Sequence, residues 1–202
     1  MSVAVAPFPS SPTLVVLHTL RIAGRAPNAT LPELTGLAVD VIDSELTAAA
    51  ADGHVCHHDG IIAGWSLTAD GRLRHADLLA DERSLAHRDA QVSGAYDDFI
   101  ALNGWFKTLC TEWQLHDHPP SCVRRLSDRH DEVDTISHRL SNAITRFGPY
   151  SDRFAAALIR LRAGDGDAFT KPLTGSYHDV WMHLHEDLLL TLHRHRTETD
   201  ER

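Results

Sequence analysis

Between residues 13 and 85 the apolar positions follow a helical period, then a two-residue period, then a helical one again. Leu14, Leu17, His18 and Arg21 share one face of a helix predicted over 13–23, with Gly24 as its stop. Thr30-Leu31-Pro32-Glu33 reads as a capping box, the threonine hydroxyl accepting from the backbone three residues on and the glutamate reaching back. It predicts a short helix ending at Gly36. A third helix follows over 38–51, with Val39, Ile42, Leu46 and Ala49 on one side. From Gly53 to Leu67 the period changes, and two short strands are expected on either side of Asp59-Gly60. That pair suits a type I′ hairpin turn because both central residues must take positive φ. A helix over 69–85 then turns Leu73, Ala76, Leu79 and Ala80 inward.

Beyond residue 85 long helical patterns dominate, over 92–115, 122–146, 151–163 and 176–195. Breaker-rich segments divide them: His116–Pro120, Phe147–Pro149 and Gly164–Gly175. Phe99, Phe106 and Trp113 fall seven apart and read as an aromatic seam used for core or dimer packing. The alternating charges from Arg124 to Arg146 read as a solvated helix face with i,i+4 pairs. No repeat of solenoid period is present. Two short helices joined by a glycine turn are a helix-turn-helix, and the hairpin behind them is the wing of a winged helix-turn-helix. The expected fold is therefore mainly α, a winged helix-turn-helix with a two-stranded wing followed by a C-terminal helical bundle. Its expected parts are a disordered Pro/Ser leader over 1–11, the winged domain over 12–85, and a helical domain over 86–202 for dimerisation, a ligand pocket, or both.

Gly64-Trp65-Ser66-Leu67-Thr68-Ala69-Asp70-Gly71-Arg72, with the Gly53-His54-Val55 start of the hairpin, resembles the wing of MarR- and PadR-like bacterial transcription regulators. There an apolar residue followed by Leu-Thr-x-x-Gly-Arg closes the wing and opens the next helix. The resemblance covers about Leu14 to Leu79. It implies a homodimer whose C-terminal helices supply the interface, binding double-stranded DNA in repression or effector-responsive control. It also implies that the third helix reads bases, through Asp40, Asp43, Ser44, Thr47 and Ala48.

Charge complicates that expectation. The whole chain of 202 residues carries −9 with histidine neutral, and residues 1–85 hold five arginines against ten carboxylates. Affinity for duplex DNA is built from cations neutralising phosphates, and base readout favours Arg, Asn and Gln. The candidate DNA contacts are Arg25 before the second helix, Thr30, Ser44 and Thr47, His57 and His58 in the wing, and Arg72 and Arg74 after it. Arg72 and Arg74 read equally as solvated charges paired with Asp70 or Asp77. Fifteen histidines make the net charge sensitive to pH near neutrality, or serve simply as surface polar groups. The alternative function is a winged helix reused as a protein-interaction or accessory module that does not bind DNA.

Cys56, Cys110 and Cys122 lack CxxC spacing, which argues against a disulfide framework and fits a reducing compartment. With no uncharged apolar run of membrane length, a cytoplasmic protein without membrane partners is expected. On the last helix His178, Trp181, His185, Leu188 and Leu192 fall at 3-4-3-4 spacing on one stripe. With Trp113 and Tyr177 they are candidates to line a pocket for a small carboxylate or aromatic effector. Core histidines bonded to neighbouring helices are the competing reading. His183 and His185 diverge on a helix and cannot share an ion; His130, Asp134 and His138 have one-face spacing, and His116 and His118 lie in a loop, but no converging set of ligands is named. No metal, cofactor or catalytic residue is expected, since nucleophile-elbow, phosphate-loop, dinucleotide and zincin motifs are missing.

Overall fold

The computed structural model describes residues 6–60, 63–116 and 118–194. Within them the chain is mainly helical, with one two-stranded antiparallel sheet. It divides into two compact units, Met1–Arg88 with Ile144–Pro149, and Asp89–Ala143 with Tyr150–Arg202.

The first unit begins with α1 (Pro12–Ala23), whose amino end is capped by the Ser11 hydroxyl accepting from Leu14 N. Residues 6–11 were expected as disordered leader, yet Phe8 bridges Ile144 and Ser10 N donates to Thr145 Oγ1 at 2.9 Å. Met1–Val5 of that leader lie outside the described residues. Next come α2 (Leu31–Thr35), ended by Gly36 in the left-handed conformation, and α3 (Val39–Ala51). The capping box expected at Thr30 does not form. A 3₁₀ turn over Asn28–Thr30 runs straight into α2, so Thr30 is already helical and its hydroxyl donates back to Pro27 O at 3.0 Å.

Strands β1 (Val55–His58) and β2 (Gly64–Leu67) pair with Val55 opposite Leu67 and His58 opposite Gly64. This register leaves five residues, 59–63, in the connection, so Asp59-Gly60 is not the two-residue turn that the sequence predicts. Ile61 and Ile62 lie outside the described residues. Helix α4 (Ala69–Ala86) follows, with the Thr68 hydroxyl accepting from Gly71 N at 3.0 Å and donating to Gly53 O at 2.7 Å. Two glycines permit close backbone approach here. A Cβ on Gly64 would lie 2.5 Å from Ala26 O, and one on Gly71 only 1.9 Å from His54 O. Gly71 thus explains why a residue without a side chain follows Leu-Thr at that offset.

Val16, Leu17, Leu20, Leu31, Ile42, Leu46, Val55 and Leu67 form the core of this unit, each contributing roughly 1.5–3 kcal/mol by burial. Val39 is exposed, against expectation, because it opens α3 before the first inward turn. The inward face of α4 is Gly71, His75, Leu79, Glu82 and Ala86, whereas Leu73, Ala76 and Ala80 face solvent. The polar residues on that face are satisfied by a segment far along the chain. Arg146 Nε donates to Glu82 Oε1 at 2.7 Å, Arg146 Nη1 to His18 Nε2 at 3.2 Å, and His18 Nδ1 lies 2.8 Å from His75 Nε2. Ser10 Oγ donates to the other oxygen of Glu82. Since the guanidinium can only donate, His18 accepts at Nε2, carries its hydrogen on Nδ1 and gives it to His75.

That arrangement requires a break in the helix expected over 122–146. The chain there forms α6 (Pro120–Asp128), α7 (His130–Ala143) and a 3₁₀ turn over Thr145–Phe147. Ile144 between them is extended, which lets it pair with Phe8.

The second unit contains α5 (Asp89–Leu115), packed against α6 and α7, most of α8 (Pro149–Arg162), the one-turn α9 (Asp167–Thr170), and α10 (Tyr177–Thr191). The last is opened by a capping box between Ser176 and Asp179. Phe99, Phe106, Phe154, Phe169, Tyr177 and Trp181 form its aromatic core, and Trp181 Nε1 donates to buried Asn103 Oδ1 at 3.0 Å. The aromatic seam of α5 is therefore interior packing. Among the described residues no helix is long and apolar enough to cross a membrane.

Candidate functional site

Two surfaces gather the residues singled out in the sequence. The first is built by α3, the hairpin and the loop after α1. Ala26 exchanges both backbone hydrogen bonds with Trp65, at 3.0 and 2.9 Å, and Trp65 Nε1 donates to Asn28 Oδ1 at 2.8 Å. The loop is thereby tied to β2, and exposed Arg25 is carried next to it. Across the pair, His57 stands opposite Trp65 with the rings edge-on at 5.0 Å, and its Nδ1 is 3.3 Å from Asp59.

His58 points to the other face of the hairpin. Its Nε2 lies 2.8 Å from Ser66 Oγ and 3.2 Å from Cys56 Sγ, so it is engaged within the hairpin rather than presented outward with His57. On α3, Ser44 and Thr47 are exposed beside Asp40 and Asp43, and the Thr47 hydroxyl donates to Asp43 O at 2.7 Å. Thr30 is likewise exposed with its hydroxyl bonded locally. Arg72 and Arg74 are exposed in the first turns of α4. No Lys or Arg occurs from Ala26 to Gly71, so the outer face of α3 presents carboxylates, hydroxyls and alanines.

The second surface is a groove of about 350 Å³ between α5 and α10. Phe106 and Trp181 form its apolar floor, stacked at 4.1 Å, with His178, His185, Lys107 and Gln114 among its other lining residues. Three of the five predicted pocket residues, His178, Trp181 and His185, therefore meet at one place. Tyr177 and Trp113 are not part of the lining. Tyr177 is buried with its hydroxyl 3.2 Å from His130 Nδ1, and burial, then the Asp134 charge, pushes its phenol well above the ordinary range. Trp113 stacks on His118 at 4.5 Å and edge-on to Phe169. Lys107, Gln114 and Asn103 escaped the sequence reading because they lie on α5, and spacing within α10 says nothing of its neighbour.

Burial lowers the proton affinity of His178, partly opposed by Asp179. Further along α10, burial and then the Arg153 charge hold His183 down to about 4. Arg153 Nη2 donates to His183 Nδ1 at 2.8 Å, which fixes the imidazole as a neutral acceptor. At neutral pH α10 thus presents His178 to the groove uncharged, able to donate from one ring nitrogen and accept at the other.

A second groove, of about 450 Å³, lies along α5 and α7, but both its arginines are paired within it: Arg139 to Asp98, and Arg129 to Glu132 at 2.7 Å. Among the described residues no group of three or more His, Cys, Asp or Glu is arranged to hold a metal ion. His138 contacts Asp134 at 3.3 Å while His130 is turned to Tyr177. Comparison with protein-family models, with curated proteins and with solved structures finds no match.

Proposed function

We propose that this chain is a homodimeric, effector-responsive transcription regulator whose first unit is a winged helix-turn-helix of the MarR- and PadR-like type. The observation that carries the reading is the order and packing of α1, α2, α3, the hairpin and α4. A glycine turn joins α2 to an α3 that buries only Ile42, Leu46 and Ala49 and leaves its other side open. A helix held in that way enters a major groove, while the wing and the arginines at either end grip phosphates. Arg25, His57, Arg72 and Arg74 supply those grips. Asp40 and Asp43 accept hydrogen bonds from cytosine amino groups, and Ser44 serves either sense of bond. The α5–α10 groove takes the effector, with its stacked aromatic floor and neutral His178 suited to a flat, polar-edged small molecule.

Fluorescence anisotropy with duplex DNA from the chain's own upstream region, at pH 6 and pH 8 and at two salt concentrations, tests this. The expected result is binding tighter than to random duplex, weakened by salt and, where histidines take part, by rising pH. Equal binding to both duplexes at both pH values overturns it.

One observation favours a second reading. The exposed side of α3 is anionic and the span from 26 to 71 has no Lys or Arg, so the same face suits a basic protein partner. Under that reading the titration is flat with every duplex, and neutralising Asp40 and Asp43 weakens partner binding.

A further inference from the structure

On the hairpin face opposite His57 and Trp65, three reactive side chains converge. Cys56 and His58 alternate onto the same side of β1, and Ser66 of β2 stands directly opposite Cys56. The imidazole Nε2 of His58 is 3.2 Å from Cys56 Sγ and 2.8 Å from Ser66 Oγ, while Cys56 Sγ is 3.5 Å from Ser66 Oγ and 3.8 Å from Ser66 O. We propose that Cys56 is an oxidation-sensitive site, with His58 as its base and Ser66 as a second donor, taking a hydroperoxide as oxidant. This inference stands apart from DNA binding and holds for either reading of the first unit.

The cluster is satisfied in both protonation states that such a reaction needs. With a neutral thiol, S–H donates to Ser66 O and the Ser66 hydroxyl donates to His58 Nε2. With the proton moved to the imidazole, Nε2–H and the Ser66 hydroxyl both donate to the sulfur anion, with little rearrangement of heavy atoms. Only the anion is nucleophilic, so a base at hydrogen-bond distance is what distinguishes this thiol from an inert one. Cys56 is half-buried and in reach of solvent, whereas Cys110 and Cys122 are buried, and burial, then the neighbouring Cys122 sulfur, pushes Cys110 up to about 12.

The step balances within these groups. His58 Nε2 takes the thiol proton, the sulfur attacks the nearer oxygen of the hydroperoxide, and an S–O bond forms as the O–O bond breaks. The departing alkoxide, or hydroxide, takes the proton from His58 and leaves as alcohol or water. Sulfur loses two electrons to give a sulfenic acid, retaining the hydrogen of the attacked oxygen, and the peroxide gains them. A low-molecular-weight thiol then reverses the change through a mixed disulfide.

The test treats the full chain at pH 7 with hydrogen peroxide, traps sulfenic acid with dimedone, and locates the adduct by mass spectrometry. Wild-type protein should label at Cys56 at least tenfold faster than N-acetylcysteine under the same conditions. Cys56→Ser should label at neither remaining cysteine. His58→Gln should fall to the rate of the free thiol, and Ser66→Ala should lie between, with unchanged far-UV circular dichroism. Wild-type labelling no faster than the model thiol, or a rate indifferent to loss of His58, overturns the assignment. If a variant does not fold, the wild-type rate alone decides.

Discussion

At the scale of the residue, this chain uses histidine in three different ways, and composition cannot separate them. His18, His75 and His185 are interior groups, His183 and His130 are held neutral, and His57 is exposed. His183, held down to about 4, does not switch charge near neutrality. His183 makes the pH dependence specific. Its folded-state value is lowered to about 4 from 6.5, so between those limits the unfolded chain binds the extra proton. Stability from this group is whole above pH 6.5, is lost progressively as pH falls toward 4, and does not fall further below that. The full swing is about 3 kcal/mol. Urea unfolding at pH 7 and at pH 4.5 should show a smaller difference for His183→Gln, which keeps an acceptor for Arg153 but cannot ionise. An unchanged difference would mean that the burial of His183 does not set this dependence.

Elements were legible where their period was their own property. Apart from the break within 122–146, the helices and the strand pair follow from apolar spacing, and His178, Trp181 and His185 were grouped by the 3-4 step that brings them to one groove. What the sequence hid was supplied from elsewhere. The inward side of α4 contains His75 and Glu82, which a period search counts as solvent-facing because their partners lie at positions 18 and 146. The Cys56–His58–Ser66 cluster was hidden by register. A two-residue turn at Asp59-Gly60 sets Cys56 opposite Ala63, and only the five-residue connection brings Ser66 across from it. Gly71 gives a test of how the hairpin seats on α4. Gly71→Ala drives a Cβ into the His54 carbonyl and should cost about 3 kcal/mol or more, whereas Gly24→Ala meets no atom within 4 Å and should lose only the smaller strain of its positive φ. Comparable losses in thermal or urea denaturation would refute the steric account of this glycine.

On the scale of the whole molecule, the first unit is discontinuous, and its fastener is ionic. Arg146 and Glu82 are both almost wholly buried, with side chains 2% and 4% exposed. Removing one member of such a pair strands the other in low dielectric, so Arg146→Ala should destabilise the protein by about 3–5 kcal/mol. The double replacement Glu82→Leu with Arg146→Met removes both charges and should recover much of that loss, as measured by urea unfolding. If the double variant is as unstable as the single one, shape rather than charge decides at this site. The same arrangement explains why a boundary placed at residue 85 describes the first unit incompletely. Pattern reading assigns contiguous spans, and nothing in the local sequence of Ile144–Pro149 announces that it returns to α1 and α4.

That late return also bears on how the polypeptide matures. A ribosome releases residues 1–88 before it has made Arg146, an interval on the order of 3–10 s at ordinary synthesis rates. Throughout it, the carboxylate on α4 and the imidazole on α1 lack their guanidinium partner. The amino-terminal unit therefore can assemble its apolar core early but completes its buried polar network only after most of the chain has been made.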